Sequence, residues 1–208
     1  MPSLVASPTP PALAFVGGDP SLDLVNTVDW TAAGPAQELL PDYFALLDWS
    51  VAAGVVAPDA AERLRRRARR RPREARAAHA RALRLREVLR AVLGGGGGGP
   101  AGAETLEEFN RRLGDALGRL EVLPAGPGTP RFRWRWKDLD ARLDAVLWPV
   151  LRAAGELLTS EDADRIRTCG GPDCGWMYVD RSRNGLRRWC QMRTCGTREK
   201  SRRRRIAG

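Results

Sequence analysis

All four cysteines of this 208-residue chain lie between positions 169 and 195, and their spacing constrains the fold more than any other feature. They form two pairs with four residues inside each pair, and fifteen residues separate the pairs. Each short pair predicts a knuckle, and a turn between the pairs brings the four sulfur atoms together. Four thiolates suit tetrahedral zinc, with zinc–sulfur bonds of about 2.3 Å. We therefore predict that one structural Zn²⁺ is bound by Cys169, Cys174, Cys190 and Cys195.

Two disulfides or four unpaired thiols are the alternatives to this zinc site. The N-terminal sequence MPSLVASPTPPALAF has no basic start, and prolines interrupt its apolar run, so it is a poor signal peptide and does not indicate an oxidising compartment. Unrelated core cysteines rarely fall into two matched pairs. A closed four-cysteine site also leaves no position for a catalytic water, which favours a structural metal.

Positive charge is concentrated around and after the cysteines. Residues 166–208 contain twelve Lys and Arg against three Asp and Glu, a formal charge of +9 out of +10 for the whole chain. Basic clusters on zinc modules are typical of polyanion binding, because Lys and Arg release counterions condensed on phosphates. The candidate nucleic-acid-binding residues are Arg181, Arg183, Asn184, Arg187, Arg188, Arg198, Lys200, Arg202, Arg203, Arg204 and Arg205.

The same stretch resembles the CGNR zinc-finger family. The similarity covers roughly residues 166 to 205, which include CGWMYVDRSRNGLRRWCQMRTCGTREKSRRRR. It includes the four cysteines, the Ser-Arg-Asn and Arg-Arg-Trp-Cys motifs and the Cys-Gly start of the motif that names the family. Thr197 stands where the family has Asn, and Tyr178 stands where it usually has Phe. The resemblance implies a zinc-dependent, nucleic-acid-binding module, and Thr197 puts in doubt any role that needs the Asn amide.

A shorter resemblance lies near the N-terminus. The segment FVGGDPSLDLVNT is similar to the opening of the ABATE domain, which precedes the CGNR finger in stress-induced transcription regulators. Asn26 and Thr27 interrupt the apolar surface of the helix predicted here and are candidates for lining a ligand pocket. The alternative is structural: Asn26 satisfies backbone groups at a helix bend, and Thr27 bonds back to a carbonyl.

The predicted fold class is mainly α. Apolar residues at helical spacing and a capping box favour an N-terminal helical domain over residues 1–160. Within it, residues 131–136 alternate between arginine and aromatic residues, which predicts a strand of a small β-hairpin. Its partner is expected at residues 121–123. We expect its aromatic face to be buried, namely Phe132, Trp134 and Trp136.

Residues 165–208 are predicted to form a small treble-clef-like four-cysteine zinc module. Residues 176–180 and 186–189 read as two strands of a hairpin that turns at Asn184-Gly185, since Asn-Gly favours tight turns. A helix should begin at or near Cys195 and run through Arg205.

These features favour a DNA-binding transcription regulator whose helical domain senses a small molecule or forms a homodimer. A zinc-stiffened protein-interaction adaptor and an RNA-binding protein are the alternatives. An enzyme is the least supported class, because the chain has one histidine and its four cysteines are committed to the metal. No apolar run reaches the roughly 18 residues of a membrane span, so we expect no membrane partner and a cytoplasmic, nucleoid-associated location.

Overall fold

In the computed structural model, residues 13–31, 34–94, 101–171 and 174–207 are described. The Pro-rich start of the chain and most of the six-glycine run lie outside these ranges. The α-helices are α1 (Pro20–Val25), α2 (Tyr43–Ala52), α3 (Pro58–Arg70), α4 (Pro72–Leu93), α5 (Ala103–Leu117), α6 (Trp148–Leu158) and α7 (Thr197–Ala207). The strands are β1 (Val28–Thr31), β2 (Gly34–Glu38), β3 (Leu120–Pro124), β4 (Phe132–Trp136), β5 (Ile166–Thr168) and β6 (Met177–Val179).

The strands form three separate antiparallel pairs, β1 with β2, β3 with β4 and β5 with β6. Helices dominate the rest, so the predicted class, mainly α with a small hairpin followed by a four-cysteine module, is confirmed. None of the helices in the described part of the chain has the length and apolar composition needed to cross a membrane.

The core is centred on α4, whose apolar residues recur every three to four positions and are buried together with side chains of α1, α2 and α6. Pro149 lies in the first turn of α6, where its missing N–H costs no hydrogen bond. A 3₁₀ turn at Leu143–Leu147 precedes it, so the chain changes from 3₁₀ to α geometry just before the proline.

The β3–β4 hairpin has the predicted pairing, but the predicted burial of its aromatic face is wrong. Trp134 pairs with Val122, and Phe132 pairs with Pro124. Phe132 is 69% exposed and Trp134 55% exposed, and of the three aromatics only Trp136 is partly buried, against Trp148. The alternation did separate an apolar face from an arginine face, but the apolar face of β4 stays largely exposed, with the Arg152 guanidinium of α6 over the Trp134 ring at 5.1 Å from its centroid.

The strand pairing predicted for the zinc module is also wrong. The partner of β6 is β5, with Met177 opposite Thr168 and Val179 opposite Ile166. Residues 186–189 form no strand, although a turn does occur where it was predicted, at Ser182 to Gly185, with Gly185 at φ +62°. The second arm is fixed instead by single bonds, such as that from the Gly170 N–H to the Arg188 carbonyl at 2.8 Å.

Candidate metal centre and nucleic-acid interface

The four cysteine sulfurs lie within 4.8 Å of one another. The Cys174 and Cys190 sulfurs are 3.8 Å apart, and those of Cys190 and Cys195 are 3.6 Å apart. A zinc ion with four bonds of about 2.3 Å requires sulfur–sulfur distances of roughly 3.8 Å, whereas a disulfide requires about 2.05 Å. All four cysteines are free of disulfides. The cluster therefore has the dimensions of a four-thiolate zinc site.

Local backbone geometry brings these sulfurs together. Cys169 directly follows β5, and Cys195 lies in a π-helical turn, Met192–Gly196, that leads into α7. Gly196 leaves room for its neighbours in this turn: a Cβ there would lie 2.2 Å from Met192 Sδ and 3.1 Å from the Trp189 ring, so the exposed Met192 side chain would have to move. The predicted position of Cys195 at the start of the C-terminal helix is thus confirmed.

Without the metal, hydrogen bonds within the cluster favour a thiolate at Cys169, while the bonds to Cys169 raise the pKa of Cys174 and of Cys190. The Cys190 N–H donates to Cys169 Sγ at 3.2 Å. Bonds from the Cys174 and Cys190 side chains, together with this N–H, hold the pKa of Cys169 far below its ordinary value. Such backbone bonds orient metal ligands and stabilise their charged form.

Comparison with protein families agrees with this geometry. Residues 18–161, more than half of the chain, match the ABATE family, described as "Putative stress-induced transcription regulator". The chain belongs to the ABATE family. Residues 165–206 match the CGNR zinc finger. A comparison with curated proteins found no match.

The CGNR finger of this ABATE protein contains one structural Zn²⁺ site, formed by the four cysteines. Because four protein ligands fill the tetrahedron, the metal holds the knuckle and the start of α7 together and offers no open position to a substrate.

The finger is joined to the helical part by Asn26. Its amide Nδ2 donates to the Met177 carbonyl at 2.8 Å, and its Oδ1 accepts from the Met177 N–H at 2.8 Å. Both partners are buried, so the amide replaces the two hydrogen bonds that a neighbouring strand would make. Trp176 adds a bond from its Nε1 to the Val28 carbonyl at 3.0 Å.

This arrangement corrects the ligand-pocket interpretation of Asn26 and Thr27. Thr27 Oγ1 donates to the Leu24 carbonyl at 2.6 Å and accepts from Arg86 at 3.2 Å. Both side chains are buried and hydrogen-bonded within the chain, as the structural alternative expects. Neither residue lines any of three cavities among the described residues.

Two arginines of the candidate nucleic-acid set bond to other groups of the chain. The Arg187 guanidinium contacts the carbonyls of Trp189 and Cys190 and lies 4.1 Å above the Tyr178 ring. Arg181 pairs with Asp162 at 2.9 Å and donates to the Gly18 carbonyl at 2.8 Å. Both groups therefore support the finger and its contact with the helical part.

Asp180 shapes the turn that carries Arg183 and Asn184. The buried carboxylate accepts from the Ser182 N–H and hydroxyl and from the Arg187 N–H at 2.9 Å. The bond from the Ser182 side chain is the main cause of the lowered pKa of Asp180. Arg183, Asn184 and the neighbouring Arg188 remain exposed.

Glu199 divides α7 into an inward and an outward side. Its side chain is buried, and it accepts hydrogen bonds from Arg202 and Arg203 at 2.8 Å, which hold the pKa of Glu199 at about 2. At about 100° per residue, the other four cations lie on the far side of the helix. These cations are exposed and make no ion pair with a described residue: Arg198, Lys200, Arg204 and Arg205.

Arg193 is a further exposed cation of the finger and is absent from the candidate set predicted from sequence. It lies between the ligands Cys190 and Cys195, in the π-helical turn, and its side chain is exposed. Its position between two metal ligands could have predicted this exposure, because side chains in so short a loop can rarely be buried.

Proposed function

We propose that this ABATE protein is a DNA-binding transcription regulator, and that its CGNR finger contacts duplex DNA. The observation that carries the proposal is the outward side of α7, with four unpaired cations directly after a metal ligand. Zinc fixes the start of this helix, so the cations are presented in a defined arrangement. The family descriptions, a transcription regulator and a zinc finger, support the same role.

The contacts of the basic residues support different roles for different members of the set. Arg198, Lys200, Arg204 and Arg205 are proposed to contact the DNA, with Arg183, Asn184, Arg188 and Arg193 gripping the adjacent backbone. Arg202 and Arg203 pair with Glu199 and contribute less. Arg181 and Arg187 are positioning residues. Contacts of this kind give affinity through phosphates, whereas sequence is read by contacts to base edges.

We also propose that the helical part, within residues 1–160, receives a small-molecule signal or mediates homodimer formation, and that residues 165–208 bind the nucleic acid. The shared core qualifies this division, since Met177 and Val179 of β6 are buried with the helices. An enzymatic role has little support, because the four-thiolate zinc site is closed.

The salt dependence of affinity tests the proposal. For B-DNA, the slope of log K against log salt becomes more negative by about 0.9 for each phosphate that the protein neutralises. We expect a steep negative slope for the wild type, and a slope shallower by roughly 2 for an Arg198→Ala, Arg204→Ala double variant. Fluorescence anisotropy with a labelled duplex measures both.

The matched control is Arg73→Ala, an exposed arginine on α4 far along the sequence from the finger. It should retain the wild-type slope. Equal slopes for the double variant and the control would contradict the assigned surface. If an RNA hairpin binds in preference to the duplex in a competition assay, the proposed ligand is RNA instead of DNA. Salt-independent binding of an acidic protein would favour the adaptor function.

A further inference from the structure

A cleft of about 640 Å³ lies between α4, α5 and the segment that leads into α6. Small-molecule sites fall in a range of about 300–1,000 Å³, so the size suits a metabolite. Arginines from each of these elements line it, namely Arg81, Arg84, Arg111, Arg112, Arg119 and Arg142. Separate elements therefore direct positive charge into one concave space, unlike the single row of arginines on a solvated helix face.

The carboxylates in the cleft do not neutralise this charge. Glu108 is shared by Arg111 and Arg112, with Arg112 Nε at 2.6 Å. Asp144 accepts from Arg142 at 3.1 Å. Asp115 is the third acidic residue among the lining side chains, so six arginines face three carboxylates. Outside this lining, Asp138 lies 3.9 Å from Arg119, which leaves an excess of two to three positive charges.

Arg84 and Arg81 retain unused donors at this cleft. Arg84 is exposed and makes no ion pair or hydrogen bond with a residue in the described parts of the chain. Arg81 Nε is buried without a hydrogen bond, and its nearest carboxylate oxygen, on Asp144, is 3.5 Å away. Guanidinium groups with free N–H donors bind phosphate and carboxylate groups in a bidentate manner.

Part of the lining of the cleft is apolar. It includes Leu147, Leu151 and the indole of Trp148, over which the Arg142 guanidinium lies at 5.9 Å from the ring centroid. An arginine held against an aromatic ring loses freedom before a ligand arrives, which reduces the entropic cost of binding.

We infer that this cleft binds a small polyanion, a molecule with at least two phosphate or carboxylate groups. Two or three negative charges match the excess on the arginines, and the volume excludes a nucleic-acid duplex from its interior. The ligand would engage Arg84 and Arg81 on α4 opposite Arg111 on α5.

The cleft is connected to the finger through α4. Six residues after Arg84, a helical rise of about 9 Å, Arg90 Nη1 donates to the Gly175 carbonyl of the finger at 2.8 Å. A polyanion on α4 therefore acts on the helix that contacts the knuckle. This regulatory consequence rests on the proposed function, whereas binding is measured on the protein alone.

Isothermal titration of the zinc-loaded full chain with inorganic pyrophosphate, and separately with citrate, at constant ionic strength tests the inference. We expect saturable binding of at least one probe, about tenfold weaker for Arg84→Ala, since one charge-assisted bidentate contact is lost. Arg73→Ala, on the same helix but outside the cleft, should bind as the wild type does.

Preference for pyrophosphate identifies a phosphorylated ligand, and preference for citrate identifies a polycarboxylate. Zinc content measured before and after each titration excludes metal removal as the source of heat.

Absence of binding by both probes would overturn the inference, as would equal affinities of Arg84→Ala and Arg73→Ala. Loss of DNA affinity in Arg84→Ala without polyanion binding would assign the cleft to the DNA-contacting surface instead. Polyanion binding by a protein that ignores DNA would leave this inference standing and remove the proposed function.

Discussion

The β3–β4 and β5–β6 pairs are both two-stranded and antiparallel, yet they differ in what covers them. In β6, the consecutive residues Met177, Tyr178 and Val179 are all at most 2% exposed. Met177 and Val179 enter the helical core, and Tyr178 on the opposite face packs with the cysteines. In β4, two of three aromatics are more than half exposed. A two-stranded sheet is thus buried only where other elements supply the covering faces.

The difference shows what a sequence pattern can and cannot specify. The alternation in β4 separates two chemical faces, because side chains of a strand point alternately to opposite sides. It does not say whether anything lies against either face. In β6 both faces are covered, and the short apolar run Met177–Val179 shows no alternation, as expected for a strand between two layers.

Loss of the metal should have the largest effect on the order of the chain, and it should affect the β5–β6 pair but not the β3–β4 pair. In a Cys190→Ser variant we expect the β5–β6 pair and the start of α7 to lose their order, because zinc supplies folding free energy on the order of 10 kcal/mol in such modules. Zinc content and amide hydrogen exchange of Met177 and Val179 measure the loss.

The β3–β4 pair serves as the internal control in this experiment. Its amides should exchange as in the wild type, since no cysteine lies near it in the sequence. A zinc-free variant with β6 still protected would show that the helical core alone orders the strand.

Removing the Asn26 amide should have an intermediate effect. Asn26→Ala leaves the buried N–H and carbonyl of Met177 without partners, and two such groups cost about 2–4 kcal/mol of unfolding free energy. Denaturant unfolding of the zinc-loaded protein measures the change. Asn110→Ala, at an exposed position of α5, should stay within about 0.5 kcal/mol of the wild type. Similar values for the two variants would mean that Asn26 does not hold β6.

Truncating an exposed side chain of the β3–β4 hairpin should have the smallest effect on the free energy of unfolding. Trp134→Ala should cost less than about 1 kcal/mol, because more than half of the side chain already contacts water. Trp49→Ala, a buried tryptophan of α2, should cost about 3–5 kcal/mol. Thermal unfolding gives both numbers. A large cost at Trp134 would show that its face is covered in solution.

Sequence reasoning performed best where covalent spacing limits the outcome. The four cysteines had few ways to meet, because they form two short-spaced pairs within one short stretch of chain. The C-terminal helix was also expected, since its cations suit the carboxyl end of a helix that begins at a ligand.

It performed worst where a distant segment decides the result. One edge of β6 pairs with β5, and Asn26 bonds to the backbone of Met177, from which it is 151 residues away in the sequence. Arg187 looks like its basic neighbours in sequence, but only the folded chain shows that its guanidinium is enclosed by carbonyls and the Tyr178 ring. No local pattern distinguishes such an arginine from a free one.

The amide of Asn26 has a consequence for engineering. Because a side chain of the first helix completes the sheet of the C-terminal segment, residues 165–208 expressed on their own would expose Met177 and Val179 to water with their backbone partner missing. Grafting this zinc knuckle onto a foreign protein would therefore require transferring α1 as well, or supplying an equivalent strand edge.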